Sequence, residues 1–504
     1  MTTKAYLLTA VTLAVPLLLA QGQTAQTTAA TPAAAPALSP TEQTIKDIKN
    51  PVPWFSWGAD LRVREEYFND ILTLSPNDKA NLNQQDYFRF RGRVWASVMP
   101  VEDVSLNVRL VDEVREWLMP AGYTPYKGSS GLDWREGVFD NLNAQWKNIL
   151  QQPMALTVGR QDYLPGTPSG LGDGWLVGDG TPIDGSWTYY LDSARLSYDF
   201  KEQHTKIDVI GIYQTAKDDA WLPTINNQNY YNSEQDEMGA ILWVANKSVP
   251  AVNVDGYFIF KHDYDPLPRP AVPTPGDEAD IYTLGGRLSG LVADGHVKYS
   301  LEGAYQFGQK KDPAINNAFL APSAQTSDYR NIDAFGAVSK VSYLFNDKLN
   351  NQASFSFEFL SGDNPSSKND EMFDNLWGRY PRWSEIALYS YAAETRIGQE
   401  AGLYRFGPGW SLSPMKDMDF SLAYFALFSP EEIATRAAAA SLFAGNANMA
   451  DHGNFRGHFL QAVLKYKFSK HVVGHLWSEF EFPGNYYAYR TTMYFLRPEI
   501  SFSF

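Results

Sequence analysis

The last fourteen residues constrain this chain more than any other segment. Read backwards from Phe504, every second position is bulky and apolar or Pro: Phe504, Phe502, Ile500, Pro498, Leu496 and Tyr494. Between them lie Ser503, Ser501, Glu499, Arg497, Phe495 and Met493, mostly small or polar toward the end. A period of two is a strand with one oily and one wet face. Such a strand in lipid cannot keep an open edge, because nothing there satisfies free backbone groups. The sheet it belongs to must close on itself.

The opposite end agrees. Lys4 precedes an apolar run from Ala5 to Leu19, interrupted by Pro16, which is too short to cross a bilayer and reads as a secretory signal. Cleavage after Ala20 or Ala25 fits, and no Cys follows to carry a lipid anchor. A secreted chain that stops on an alternating strand with Phe as its final residue looks like a bacterial outer-membrane barrel carrying its assembly signal. The expected division is a signal peptide over 1–25, a flexible Ala/Thr/Pro-rich leader over 26–53, and an outer-membrane β-barrel over 54–504.

Composition excludes several alternatives. The 504 residues include no Cys, which removes disulfide frameworks, thiolate zinc sites and cysteine nucleophiles. After the signal no apolar run approaches the ~20 residues of a membrane helix. Yet the chain holds 29 Tyr, 29 Phe and 14 Trp, which suits a barrel with a greasy outer face and aromatic girdles. A secreted sandwich or solenoid is the competing fold, and a sandwich this long would split into domains.

Alternating segments recur along the chain, for example Trp57–Tyr67, Phe88–Val98, Val104–Val114, Ala194–Phe200, Val297–Phe307, Ala353–Phe359, Phe420–Phe428 and Leu460–Phe468. The connections fall into two sizes. Short ones lie at Pro100–Asp103, Leu150–Gln152, Lys201–His204, Lys247–Pro250, Val292–Gly295, Asn346–Leu349, Ser413–Lys416 and Ser469–His471. Long ones occupy 68–86, 117–137, 164–188, 217–236, 264–280, 309–331, 362–399, 429–456 and 483–490. Eight short turns and nine long loops join eighteen strands, with both ends on the periplasmic, short-turn side. Trp383–Tyr391 has strand-like composition, but counting it would give an odd number, so it is assigned to the seventh long loop, over the mouth.

Alternation also assigns faces, since an Arg in lipid at the midplane costs ~2–4 kcal/mol. With Leu61 and Val63 outward, Arg62 and Arg64 turn inward. With Phe88, Phe90, Gly92 and Val94 outward, Arg89, Arg91 and Arg93 form an inward ladder. Leu106, Val108 and Leu110 send Arg109 inward, and the same parity places Arg195, Arg287, Arg405, Arg497, Lys298 and Lys465 inside. Acids share that face at Asp60, Asp208, Glu302, Glu358, Glu479 and Glu499. Two readings of this lumen stay open: an anion-selective constriction, or a balanced, unspecific wall whose charges satisfy one another. The formal charge of −15 does not decide between them. Acids crowd the loops, as at Asp218, Asp219, Glu234, Asp236 and Glu237, where they are screened within about 8–10 Å. An acidic outer rim would repel anions re-entering from outside, which favours export.

At Leu156–Gln161 (LTVGRQ), followed by the Gly-rich stretch Gly166–Gly185, the chain resembles the alginate export family of outer-membrane porins. Ser361–Asp363 (SGD), Phe373–Trp383 (FDNLWGRYPRW) and Phe495–Phe504 (FLRPEISFSF) are similar to its wider branch rather than to its best-known exporters. The likeness spans about 54–504. It implies an eighteen-stranded monomeric barrel whose Arg-rich lumen passes a uronate polysaccharide, gated by charged loops and turns near its mouths. Arg160 matches the arginine of the GRQ motif near the constriction. Alternation puts Arg160 on the face of Leu156 and Val158, so an inward Arg160 requires a bend at Gly159.

Other signals are weaker. Gly170–Gly180 lacks the Lys-Ser/Thr of a phosphate loop and reads as a flexible loop. Asp173, Asp179 and Asp184 are the candidates for a structural calcium ion, and no other cofactor or metal is implied. His471 and His475, four apart on a strand, lie ~13 Å apart, too far for one metal. The seven His include no arrangement that suggests a hydrolase, so the chain is read as a channel and not an enzyme. A receptor with an N-terminal plug would need about 22 strands, and only the short leader precedes the first strand here. Two functions remain: a gated exporter of an acidic polysaccharide or oligosaccharide, and a general or oligosaccharide-uptake porin with no export role. Expected partners are outer-membrane lipids and lipopolysaccharide, the barrel-assembly machinery, the acidic polysaccharide or small solutes, and periplasmic export proteins, with no nucleic acid.

Overall fold

The computed structural model describes residues 39–70, 84–121, 131–180, 188–217, 222–225, 233, 235–264, 278–311, 329–364, 366–379, 382–386, 402–431, 453–487 and 490–504, the side chains of 135 and 136 excepted. The signal segment 1–25, the early leader and the tips of several long loops, including Asp184, Asp218, Asp219 and Glu234, lie outside them.

Helix α1 is Pro40–Lys49, within the span expected to be a flexible leader. Its start is written in the sequence: Ser39 precedes Pro40 at the first helical position, and the Glu42 backbone N–H donates to Ser39 Oγ at 3.3 Å.

Eighteen strands follow. They are β1 (Phe55–Asn69), β2 (Gln85–Val101), β3 (Val104–Met119), β4 (Leu132–Trp146), β5 (Met154–Gln161) and β6 (Leu191–Phe200). Next come β7 (Thr205–Gln214), β8 (Glu237–Val249), β9 (Val252–Asp263), β10 (Glu278–Val292), β11 (Val297–Lys311) and β12 (Arg330–Leu344). The set ends with β13 (Gln352–Leu360), β14 (Leu403–Met415), β15 (Met418–Phe428), β16 (Phe455–Lys467), β17 (Val472–Pro483) and β18 (Met493–Ser503). Each pairs antiparallel with its sequence neighbours, and β1 pairs with β18, so the sheet closes. The short turns and long loops alternate between the strands as the sequence implied, but β4 begins at Leu132, inside the expected loop 117–137, and β8 and β14 run on to Val249 and Met415, through most of the turns expected at Lys247–Pro250 and Ser413–Lys416.

The closing seam uses the terminal residue. Leu61 sits opposite Phe502 and Val63 opposite Ile500, and the Phe504 N–H donates to the Ala59 carbonyl at 2.8 Å. The β1–β18 register skips Glu65 and Glu66, which would face Pro498 and Arg497. Pro498 has no N–H to give, so the ladder opens there and resumes at Tyr67 and Leu496.

Sidedness follows the alternation. Leu61, Phe90, Val94, Leu106, Val209, Leu242, Phe355, Leu422 and Phe502 are exposed on the outer face, while Arg62, Arg64, Arg89 and Glu113 are buried on the inner one. Compared with a water-soluble sheet protein the pattern is inverted, as a lipid-facing wall requires.

Candidate functional site

The inner faces of β18, β1, β2 and β3 carry a dense charge cluster. Register sets Arg62 opposite Arg91 and Arg64 opposite Arg89 on the first two strands. It then sets Arg89 opposite Arg115 and Arg91 opposite Glu113 across β2 and β3, and Arg64 opposite Glu499 across the seam. Like charges placed directly opposite repel, and three acids interleave to offset this. Glu113 lies 3.2 Å from Arg62 and also pairs with Arg89; Glu66 lies 2.6 Å from Arg64 and 3.7 Å from Arg89. Glu499 lies 3.6 Å from Arg64 and 3.8 Å from Arg62. Nearer the short-turn end, Arg93 Nε donates to Asp60 Oδ2 at 2.9 Å. On the described inner faces of β1–β3, seven arginines (Arg62, Arg64, Arg89, Arg91, Arg93, Arg109 and Arg115) meet three acids (Asp60, Glu66 and Glu113). Arg62, Arg64 and Arg89 are each only 1% exposed, so water reaches almost none of their surface.

The other candidate arginines hold chain segments against the wall. Arg109 reaches Asp140 at 2.7 Å and Asp162 at 2.6 Å, just where the chain leaves β5. Arg195 pairs with Asp208 at 2.9 Å and donates to the Ser169 carbonyl at 2.6 Å. Arg287 bridges Asp255 of β9, at 2.9 Å, and Asp173, at 2.6 Å. Arg405 pairs with Glu358 at 3.1 Å beneath the Trp383 ring, 4.5 Å from its centroid.

Arg160 is built into the wall. Its Nε donates to Asp192 Oδ1 at 2.9 Å, its Nη1 to the Phe139 carbonyl at 3.0 Å, and Tyr190 covers the guanidinium 3.9 Å away. Strand β5 pairs with β4 only up to Leu142–Arg160 and with β6 up to Gln161–Leu191. Beyond that point Arg160 ties β4 to β6. The preceding Gly159 adopts φ +122°, and a Cβ there would lie 2.3 Å from the Leu142 carbonyl oxygen, so the bend takes a residue without a side chain.

The opposite side of the lumen carries an apolar sector among its ion pairs. Ile210, Ile212, Ile241, Trp243, Tyr257, Ile259, Ile281, Ile332 and Ala334 point inward from β7–β12 and are buried. Two long loops pack on them. Leu171, Trp175, Leu176 and Val177 come from the loop after β5, and Phe373, Leu376 and Trp377 from the loop after β13. The loops join each other: Trp377 N–H donates to the Leu176 carbonyl and Gly178 N–H to the Trp377 carbonyl, both at 2.9 Å. Trp175 and Phe373 stack with centroids 5.2 Å apart, directly over Gly336. A Cβ at Gly336 would come within 2.7 Å of the Phe373 ring, so the wall is cut to receive the pair.

The Gly170–Gly180 stretch is therefore a packed element and not the flexible loop its glycines suggested. Its glycines let a Leu-Trp-Leu-Val set reach the wall closely. The two described aspartates weighed as calcium ligands go to different arginines. Asp173 takes Arg287, and Asp179 accepts from Arg379 Nε at 3.0 Å. Burial pushes the Asp179 carboxyl up to about 6, against the pull of Arg379. Arg379 also lies 3.3 Å from Glu237, which accepts from Trp377 Nε1 at 3.0 Å.

The same loop then crosses to the far wall. The Trp383 carbonyl accepts from Gln461 at 2.6 Å, and Glu479 accepts from Ser384 Oγ at 2.9 Å and the Ile386 N–H at 2.8 Å. Arg497 pairs with Glu385 at 2.7 Å. The described part of Trp383–Tyr391 thus lies in the seventh loop, as read, but against the inner wall rather than over the mouth; residues 387–391 lie outside the described set.

The sequence carried a sign of the apolar sector. Strand β7 reads Ile207, Val209, Ile210, Ile212 and Tyr213, and β8 reads Ile241, Leu242, Trp243 and Val244. Such runs lose the period of two, and lost alternation is how strands covered on both faces read. Glu66, Glu113 and Arg115 share the parity of Arg62, Arg64 and Arg109 and were legible on that ground.

The family model described as alginate export matches residues 196–495, more than half of the chain. No curated protein matches the sequence. Among solved structures the chain is similar to OccK8 (OprE) of Pseudomonas aeruginosa, at 12% identity over 89% of this chain and 98% of that one, with a TM-score of 0.52. It is also similar to OccAB3 of Acinetobacter baumannii, at 11% identity over 89% and 99% of the two chains, with a TM-score of 0.48. At such identities the structural likeness concerns the fold alone.

Proposed function

This chain belongs to the alginate export family, and from that premise we propose that it passes an acidic polysaccharide or oligosaccharide along the arginine-rich side of its lumen. The protein is an outer-membrane channel of the bacterial cell. The observation that carries the finer reading is the excess of arginine over carboxylate on the inner faces of β1–β3. A polyuronate bears one carboxylate per sugar, and guanidinium binds carboxylate in a bidentate fork. Several such sites of modest strength in a row let an anionic chain advance without being trapped. In this conformation the guanidiniums are held by Glu66, Glu113 and Glu499, so a passing carboxylate competes with a resident one. Exchange of partners of equal charge needs no guanidinium to stand bare in a low-dielectric space.

One observation favours the second reading, a general or oligosaccharide-uptake porin. Most of the candidate arginines already hold carboxylates, which is also how a balanced, unspecific wall is built. Lipid meets the exposed apolar outer face. Lipopolysaccharide, the barrel-assembly machinery and periplasmic export proteins complete the proposed partners.

Planar-bilayer recording separates the readings. Oligomers of a hexuronic acid should interrupt the ionic current, with a dependence on voltage polarity, at concentrations where a neutral glucan of equal length does not. Equal block by both oligomers would overturn the anionic reading.

A further inference from the structure

A cavity of about 630 Å³ lies between the inner wall of β3–β7 and the chain leaving β5, well within the roughly 300–1,000 Å³ of small-ligand clefts. Its roof is Asp162 and Thr167–Ser169, pinned to the wall where Arg109 meets Asp162 and Arg195 meets the Ser169 carbonyl. Below, it reaches the short-turn end of the barrel, since Lys147, Asn148 and Lys201 belong to the turns after β4 and β6. Short turns face the periplasm.

The floor is a row of carboxamides. Asn107 accepts from Ser97 Oγ at 2.8 Å and donates to Asn143 Oδ1 at 3.0 Å, and Asn143 donates to Asn141 Oδ1 at 2.7 Å. Beside them Gln145 Nε2 donates to Thr157 Oγ1 at 3.1 Å. Each amide is thereby held in one orientation. Among the described residues no partner takes the Asn141 N–H groups or the Gln145 carbonyl, and both side chains line the cavity. Four apart on β4 and so ~13 Å from each other, this fixed donor and fixed acceptor suit hydroxyls on different units of a short sugar chain. At the rim Lys206 lies 3.5 Å from Asp208, while Lys147 and Lys201 pair with no carboxylate among the described residues. Asp199 is the one acid lining this end, against three lysines.

We propose that this cavity is a periplasmic saccharide-binding subsite that holds a short uronate segment, with the Asn/Gln row reading hydroxyls and Lys147, Lys201 and Lys206 taking carboxylate. Because its roof is the lumen loop, the subsite is a cup beside the path rather than a stretch of it. The inference rests on the proposed function for its ligand class, and it assigns the capture step to residues outside the arginine ladder.

The test is equilibrium binding of a hexuronic acid trisaccharide, with a neutral glucose trisaccharide beside it, to the full-length protein in detergent. Wild type should bind the acidic sugar at least tenfold more tightly than the neutral one. Lys147→Gln/Lys201→Gln/Lys206→Gln, at two exposed turn positions and one half-buried position at the start of β7, should erase that difference. Asn143→Ala, checked for an intact heat-modifiable barrel, should weaken both sugars. Absence of saturable binding, or affinities unmoved in both variants, overturns the subsite. A pore without anion preference that still binds the trisaccharide tells against the proposed path and leaves the subsite standing; an anion-selective pore with no binding tells against the subsite alone.

Discussion

The two sides of this lumen are furnished for different work, although the same alternating strands build both. Across β7–β12 the inward positions include a continuous sector of Ile, Trp, Tyr and Ala beside compensated ion pairs such as Arg287–Asp255 and Lys261–Asp263, and two loops seal the apolar sector with Trp175, Leu176, Phe373 and Trp377. Across β18 and β1–β3 the mid-strand inward positions are dominated by Arg and Glu in direct register, with Phe68, Tyr87, Trp117 and Phe495 packed together toward the long-loop end. The apolar side gains from water exclusion and close packing, so it fixes the loops in place. The charged side gains only while every ion keeps a counter-ion, and its partners can be exchanged. The apolar sector holds two loops inside the barrel, and under the proposed function the charged side is the one that meets what passes.

Weakening the apolar side should give the largest effect. Trp175→Ala removes a fully buried ring from the joint between the loops and the wall, at a cost of about 3–5 kcal/mol to docking. Single-channel conductance should rise several-fold while the barrel still assembles. Conductance at the wild-type level would show that these loops do not narrow the pore.

Breaking the charged side should be felt in stability instead. Arg89→Met takes from Glu113 a charge-assisted hydrogen bond and from Glu66 its second guanidinium, while Arg62 and Arg64 still hold them, and such a loss costs about 1.5–3 kcal/mol. The midpoint of heat-induced barrel unfolding should fall, and adding Glu113→Gln should recover much of it. A single variant as stable as wild type would mean that the network contributes nothing to the fold.

A smaller effect links the two sides to pH. Docked, Asp179 titrates near 6; released into water, it returns to about 3.9. The docked state therefore holds the extra proton between these values, and docking tightens as pH falls from about 6 toward 4, by at most ~3 kcal/mol. Open dwell times should shorten on acidification, and Asp179→Asn should flatten the profile. A titration that survives this substitution assigns the effect to another group.

How much of this was legible in sequence depends on what each feature requires. Strand count, closure at Phe504 and the inward parity of Arg62, Arg64, Arg89, Arg91 and Arg93 follow from a period of two, which is local. The loop joint does not. Nothing near Trp175 names Trp377, two hundred residues away, as its neighbour, and glycines that permit close approach look like glycines that permit motion. Arg160 shows the same limit. Alternation flagged a conflict at Gly159, but only the early end of β5 explains why an arginine is needed to tie β4 to β6.

The central claim is that anions travel on the arginine side. Its most direct test is the reversal potential across a salt gradient for wild type, for Arg91→Gln/Arg93→Gln, and for Trp175→Ala. The account predicts anion preference in wild type, a clear loss of it in the arginine variant, and larger conductance with preference retained in the tryptophan variant. An arginine variant that assembles and keeps the wild-type reversal potential would contradict it.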